Sequence, residues 1–455
     1  MTLSLASSIA LGTFATVILA IASNRIHLTV AAMLGTVVLL VTGVLSARDV
    51  SETINPAEAM IALFFGGMVM ARTLISTGLF DYLGAIGLRL VRGDGRRLLI
   101  AIAGLAAPIC AFLPNATVVI LIGPLIVAVC ERMKIDFVQP LILLVFVANS
   151  SGLLTLVGDP ATFIVGNSIG LSFTQYLRLL SPGGVLAIVA VLALLPISFR
   201  PIWRVRLPES ETISIPRIKR PSVLLACLAA VGLMIMLFIY GEELPNPIAP
   251  PEAAIIGSAL LLMIVFVTKL DDVGKILHDI DWESLLFLVC IFILVGALDK
   301  TGVIADLGKF LGTLFGNNVV LASLLLLTGI GVLSSVIPNV ALVVAMLPLV
   351  KQYAVGAGLV APGVLEAGYG HIPSSVLPLF FAMCFGATLG GNATLLGAGS
   401  NIIAGGICAR AGRQISSDFF ALWYSGYSGA ARRFGDLYMA PFSLTGLILR
   451  TSNVC

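Results

Sequence analysis

Apolar runs of about 20 residues, the length that carries an α-helix across a bilayer, recur along this chain between short polar interruptions. In the first half they cover 5–23, 27–45 and 58–77. A glycine-punctuated stretch, 78–91, leads into the basic segment Arg92-Gly93-Asp94-Gly95-Arg96-Arg97. Two shorter apolar arms, 98–112 and 116–130, then flank Pro114-Asn115. Each arm is short for a span. Together they predict a re-entrant helical hairpin with its tip at 114–117. The run 139–169 is interrupted by Ser151-Gly152 and by Gly158-Asp159-Pro160 and predicts a discontinuous spanning helix. Single spans follow at 183–197, 222–240, 252–268 and 283–299, and a second discontinuous helix runs from Leu377 to about Gly406.

The pattern repeats. Pro338-Asn339 follows Pro114-Asn115 by 224 residues, and Pro348 follows Pro124, Gly302 follows Gly78 and Gly308 follows Gly84 at the same distance. Gly391, Thr394 and Gly397 follow Gly152, Thr155 and Gly158 by 239. The added residues fall in the Gly/Pro-rich loop 356–376, which reads as exposed. Proline removes a backbone donor and clashes inside a helix. In lipid, a freed backbone group has no water to turn to. Interrupted apolar segments at matching places in two halves are therefore the sequence sign of a transporter binding site.

Charge sets the orientation. The loop 198–221 carries Arg200, Arg204, Arg206, Arg217, Lys219 and Arg220 against Glu209 and Glu211, so the positive-inside rule places it in the cytoplasm. Counting spans outward from it opens the second hairpin to the outside and the first to the inside, making the halves inverted copies. Composition agrees: 455 residues, 59% hydrophobic and 11% charged, with mean hydropathy +1.09, exclude a water-soluble globular domain. The net charge of +3 is confined to a few loops, and no basic stripe with interleaved aromatics suggests nucleic acid. Seven scattered cysteines have no metal-ligand spacing and read as small buried hydrophobes. The N-terminus, Leu3 to Ser23, reads as a retained span.

The candidate site residues are the polar groups and glycines of the breaks: Asn115, Thr117, Thr155, Gly158, Asp159, Asn339, Asn392, Thr394, Gly397 and Asn401. An amide both donates and accepts, so Asn115 and Asn339 suit an anion or the oxygen shell of a cation; the same groups also serve as structural caps. Glycines permit unwound backbone, whose carbonyls suit a cation while nearby helix N-termini favour an anion. Close helix packing is their structural alternative. Asp159 is a carboxylate in a membrane break, a functional position by default, and equally an N-cap for a half-helix starting at Pro160. Arg72 lies inside the span 58–77 as an anion attractor or a side chain reaching for the interface. His27, His278 and His371 read as solvated.

These motifs resemble the ion transporter superfamily over roughly 55–420, nearest its arsenite/antimonite permease and melanosomal P-protein branch, with a citrate transporter-like domain. Divalent anion/sodium symporters and some sodium/proton antiporters are more distant members. Gly390-Gly391-Asn392-Ala393-Thr394-Leu395-Leu396-Gly397-Ala398-Gly399-Ser400-Asn401 is similar to that family's GGN-x-T-L-x-G-A-x-x-N, and Leu156-Val157-Gly158-Asp159-Pro160 to its x-I-G-D-P-P-N, with Ala161-Thr162 replacing the final Pro-Asn. Where the family commonly has Asp-Asn at both hairpin tips, this chain has Pro-Asn.

The expected architecture is all-α and polytopic: N-terminal spans 1–54, a first repeat 55–200, a cytoplasmic basic loop 201–221, linking spans 222–280, a second repeat 281–420 and an atypical tail 421–455. Each repeat holds a re-entrant hairpin and a discontinuous helix. In the tail, two arginines, an aspartate and three glycines interrupt 424–436, so no well-packed spanning helix is expected there. The expected function is secondary transport of a small anion, an inorganic oxyanion or carboxylate, by alternating access, with Na⁺ or H⁺ as coupling ion and no other cofactor or metal. The rivals are sodium/proton antiport and an anion channel. No nucleophile–base pair or HExxH spacing suggests an enzyme. Expected partners are the anion and the bilayer, with a homodimer open and nucleic acid excluded. The expected location is the plasma (inner) membrane. Asn115, Thr155, Gly158, Asn339, Thr394 and Gly397 are expected around one cavity between the halves.

Overall fold

The computed structural model describes residues 4–23, 26–91, 93–206, 218, 220–365 and 372–413. The expectation for the tail 421–455 lies outside the described residues, as does His371. The chain opens with α1 (Leu5–Ala22), α2 (Leu28–Val41) and α3 (Ala47–Ser76). The first half continues with α4 (Leu79–Val91), α5 (Gly95–Cys110), α6 (Asn115–Arg132), α7 (Val138–Gly152), α8 (Pro160–Ser168), α9 (Phe173–Leu179), α10 (Ser181–Ser198) and the short α11 (Arg200–Trp203). Then come α12 (Pro221–Tyr240), α13 (Pro250–Thr268), α14 (Val273–His278) and α15 (Trp282–Lys300). The second half closes with α16 (Val303–Phe315), α17 (Val319–Ser334), α18 (Asn339–Gly356), α19 (Leu377–Gly390) and α20 (Gly399–Arg410).

Among the described residues there is no strand, and eight helices are long and apolar enough to cross a membrane, nine if α16 and α17, bent by 119° at their junction, count as one span. The protein is an all-α, multi-pass integral membrane protein. The stretch 78–91 is a regular helix, α4, amphipathic like its counterpart α16. Gly78 and Gly302, one residue before each, both take left-handed backbone (φ +75° and +79°), which is why only glycine starts these two helices without strain. The second arm of the first hairpin is also longer than the apolar pattern suggests. Both α6 and α18 have 18 residues and are span-length by size and composition, α6 because its helix takes in the polar ends Asn115, Glu131 and Arg132.

The helices pack in two groups. In one, α3 lies against α13 and α15, α12 against α13, and α2 against α1 and α15. In the other, the hairpins and broken helices interleave: α5 and α6 on α7, α17 and α18 on α19, and across the halves α6 on α20 and α8 on α18. The ends of α3 mark the ends of the bundle. At its C-terminus Ser76 donates to Asp271 (2.7 Å) and Arg72 pairs with Asp279 at 3.8 Å. At its N-terminus Asp49 pairs with Lys300 at 2.6 Å. The basic connector belongs to the first end. Arg206 pairs with Asp94 at 2.5 Å, Arg96 stacks over Trp203, and Arg220 donates to the Thr268 carbonyl (2.7 Å) beside the Asp271 loop. Solvated pairs of this kind add little to stability; they locate the ends and do not drive folding.

This arrangement fixes a labelling test. Single cysteines replacing the exposed Arg204 and Asn246 are expected to react with an impermeant maleimide from opposite sides of the membrane, Arg204→Cys from the cytoplasm. Labelling of both from one side contradicts the predicted orientation.

Candidate functional site

Both hairpin tips are built alike. Pro114 and Pro338 precede α6 and α18 with nearly the same backbone (φ −54°, ψ 132° and φ −52°, ψ 133°), and neither supplies a side-chain cap. The helix breaks dock onto these tips through matched contacts. The Thr155 hydroxyl donates to the Ala111 carbonyl, and Thr394 to that of Ser335, at equivalent places in the two halves. Behind them, a Cβ on Gly158 would lie 3.0 Å from the Cys110 carbonyl oxygen, a tight contact, and one on Gly397 2.8 Å from that of Ser334, closer than a side chain allows.

A cavity of about 170 Å³ lies between the two helix groups. One wall is apolar, with Leu28 of α2, Phe64 and Met68 of α3, and Leu285 and Leu288 of α15. The other is polar, with Asn115 and Thr117 from the first tip, Asn339 from the second, Asp159, Asn149 and Ser400. It reaches exposed Asp281, the N-cap of α15, and Ser284 in its first turn, which we take as its mouth; Gly399 and Ile402 of α20 are its other exposed lining residues. Among the lining residues there is no Lys, Arg or His.

Asp159, 3% exposed, is the charge at the centre. It caps α8, one carboxylate oxygen accepting from the Ala161 amide (2.8 Å), as its extended backbone before Pro160 allows. The other oxygen accepts from the Asn115 amide at 2.9 Å, and Asn339 Nδ2 stands 3.5 Å from both. One tip from each half thus points its amide at the same carboxylate. The Asn115 carbonyl oxygen is buried without a partner among the described residues, whereas that of Asn339 accepts from the Val340 amide (2.9 Å). At the equivalent place in the second half stands Ala398, with the same extended backbone and no side-chain cap, so the N-terminus of α20 meets the cavity bare.

Of the ten sequence candidates, Asn115, Thr117, Asp159 and Asn339 line the cavity. Asn392 and Asn401 lie one hydrogen bond behind it, through Asn149. Thr155, Gly158, Thr394 and Gly397 do not line it. Their hydroxyls and close approaches are spent on docking the breaks against the tips. Arg72 is not among the lining residues; it lies one turn beyond Met68 on α3 and pairs with Asp279 at the same end as the mouth, and His27 pairs with Glu283 at 2.9 Å near the mouth. Sequence reasoning missed Asn149, Ser400, Asp281 and Ser284. Asn149 opens the polar triplet Asn149-Ser150-Ser151 in an otherwise apolar run, a visible signal; Asp281 looked like any helix-capping acid at a span end.

Comparison with known proteins agrees with this architecture. The family described as "Citrate transporter" matches residues 18–365. An uncharacterized transporter of Synechocystis sp. is 48% identical over 407 residues, 89% of this chain and 91% of that one. An uncharacterized transporter of Mycobacterium bovis is 32% identical over 420 residues, 90% and 92% of the two chains. The P protein of Homo sapiens is 26% identical over 509 residues, 92% of this chain and 58% of that one. With a match over most of its length, joined to a cavity built from paired breaks inside a multi-pass bundle, this chain belongs to the citrate transporter family and is a membrane transporter.

Proposed function

We propose that the protein is a secondary transporter of the plasma membrane that carries a small anion, an oxyanion or carboxylate, by alternating access, and that Asp159 couples this anion to a proton or sodium ion. The observation that carries the reading is the pair of unlike helix N-termini at one cavity. That of α8 is covered by the Asp159 carboxylate, and that of α20 is uncovered. A helix N-terminus carries about +0.5 charge and binds anions. At the tips, the first amides of α18 are taken by the Gly397 carbonyl and the Asn339 side chain, whereas Pro114 gives α6 no side-chain cap, so α6 and α20 lend the polar wall positive potential without a basic side chain. An anion seated at α20 feels the Asp159 charge nearby. Neutralising Asp159 with a cation relieves that repulsion, which ties the two loads together.

On the positive-inside rule the basic connector end is cytoplasmic. The mouth at Asp281 and Ser284 lies at that end, so this conformation is accessible from inside. The halves act as inverted copies, and their exchange of roles opens the other side.

The absence of basic side chains among the lining residues favours one second reading, exchange of sodium and protons with no anion. Purified protein in liposomes separates the two. The expected result is saturable uptake of citrate, or of phosphate as an inorganic probe, that rises with an inward proton or sodium gradient. Cation exchange that proceeds without either anion supports the second reading. Unsaturable anion flux insensitive to both gradients indicates a channel and contradicts both.

A further inference from the structure

The two half-helices that begin at the cavity are held in different ways. At α8, Asp159 caps the helix and Thr162 closes the break from within, its hydroxyl donating to the Asp159 carbonyl at 2.7 Å. At α20, Ala398 provides no cap, and the equivalent of Thr162 is Asn401, whose amide donates to the Gly391 and Thr394 carbonyls at 2.7 and 2.6 Å. Those bonds tie the first turn of α20 to its own break from one side.

A second set of bonds reaches the same turn from the other half. Asn149, in the last turn of α7 and 2% exposed, donates to the Asn392 side-chain oxygen (2.8 Å) and to that of Asn401 (3.1 Å). Its own oxygen accepts from the Ser400 hydroxyl at 2.7 Å. One amide therefore grips both sides of the second break, and both of its N–H donors are used. The grip is one-directional. The equivalent position in α19 is Thr388, whose buried hydroxyl has no partner among the described residues.

We propose that Asn149 is the positioning residue of the anion site, a role that rests on the function proposed above. It does for α20 what Asp159 does for α8, with one difference: it holds the helix through side chains and leaves the first backbone N–H groups uncovered toward the cavity. A capping acid at Ala398 would fix the same turn but occupy the seat with its own charge. Holding the turn from α7 keeps it both rigid and empty. Because Asn149 belongs to the first half and its three partners to the second, the seat also keeps its register with Asp159, only ten residues further along the same chain.

The test uses the full-length protein in lipid nanodiscs and liposomes, with Asn149→Ala, Ser400→Ala, the double variant and Asn149→Asp. Hydrogen exchange of the amides 399–402 reads the turn without any ligand, and citrate uptake reads the seat. We expect exchange at 399–402 to speed up in Asn149→Ala while α6 and α18 keep their protection. The citrate KM should rise at least tenfold, about 1.4 kcal/mol, with a smaller change in maximal rate. Ser400→Ala should give a smaller rise that does not add to that of Asn149→Ala. Asn149→Asp replaces the donors by a carboxylate facing two side-chain oxygens, so its uptake should recover as pH falls and the acid regains a proton to donate. Unchanged exchange at 399–402 in Asn149→Ala overturns the proposal. So does a loss of maximal rate and abundance at unchanged KM, the mark of a purely structural residue. Faster exchange with unaltered citrate KM and rate supports the hold of Asn149 on the turn and removes the anion from that seat, which overturns the function proposed above.

Discussion

Asp159→Asn is expected to abolish gradient-driven uptake while leaving the protein folded and inserted. The substitution separates the two things Asp159 does. Asparagine is as good an N-cap as aspartate, so α8 keeps its first turn. The new amide can donate to the Asn115 carbonyl oxygen, which is buried and without a partner among the described residues, once the two side chains reorient. The backbone does not need the acid either, because Ala398 adopts the same extended conformation at the equivalent place (φ −149°, ψ 149°, against −143° and 143° for Asp159). What is lost is the charge that accepts from two amides and balances a coupling cation. Losing a charge-assisted hydrogen bond costs ~1.5–3 kcal/mol, or roughly 10- to 150-fold in rate if it is spent on the transported state. The residual flux should no longer respond to proton or sodium gradients. Asp159→Ala removes the cap as well and should lower thermal stability by ~1 kcal/mol more. A variant Asp159→Asn that concentrates citrate as the wild type does, with the same gradient dependence, eliminates Asp159 as the coupling group.

Much of this was legible because a repeat makes its own control. A Pro-Asn pair inside an apolar run is ambiguous once; recurring 224 residues later with its flanking glycine and proline, it implied two equivalent tips, and their backbone proves nearly the same. The breaks at Gly152–Asp159 and Gly391–Ala398 were legible for the same reason. Which polar groups face the cavity was not, because it depends on side-chain direction at helix ends, and matching positions do different work. Thr155 and Thr394 looked like ligands but bind the Ala111 and Ser335 carbonyls, since a freed carbonyl in a dry break needs a donor. Asn149 was overlooked because the repeat carries Thr388 at that place; its function is in the asymmetry, which a search for equivalence passes over. The length of α6 was underread because its polar ends, Asn115, Glu131 and Arg132, continue the helix beyond the apolar run 116–130.

The same asymmetry predicts that the two tip asparagines, equivalent in sequence, fail differently. Both are 7% exposed and both aim an amide at Asp159. Asn115 is in contact at 2.9 Å, and its unpartnered oxygen is the acceptor a cation or protonated acid requires beside the carboxylate. Asn339 stands off at 3.5 Å with its oxygen already engaged by the Val340 amide, so its free resource is a donor aimed into the gap. Replacing either by alanine should sharply reduce transport at wild-type abundance, since neither amide closes a helix break. Asn115→Ala should weaken the response to the coupling ion, raising the proton or sodium concentration that half-saturates uptake. Asn339→Ala should chiefly raise the citrate KM. Double-mutant cycles with Asp159→Asn make the distinction quantitative. The Asn115–Asp159 coupling should reach ~1.5–3 kcal/mol, the range of a hydrogen bond to a charge, and the Asn339–Asp159 coupling, across two long 3.5 Å contacts, should fall near ~0.5 kcal/mol, the low end for groups in one network. Equal couplings would mean that both amides serve the carboxylate alike and that the donor of Asn339 has no separate use. Normal uptake by both alanine variants, each at wild-type abundance, would remove the hairpin tips from the site and leave Asp159 and the bare end of α20 to account for transport alone.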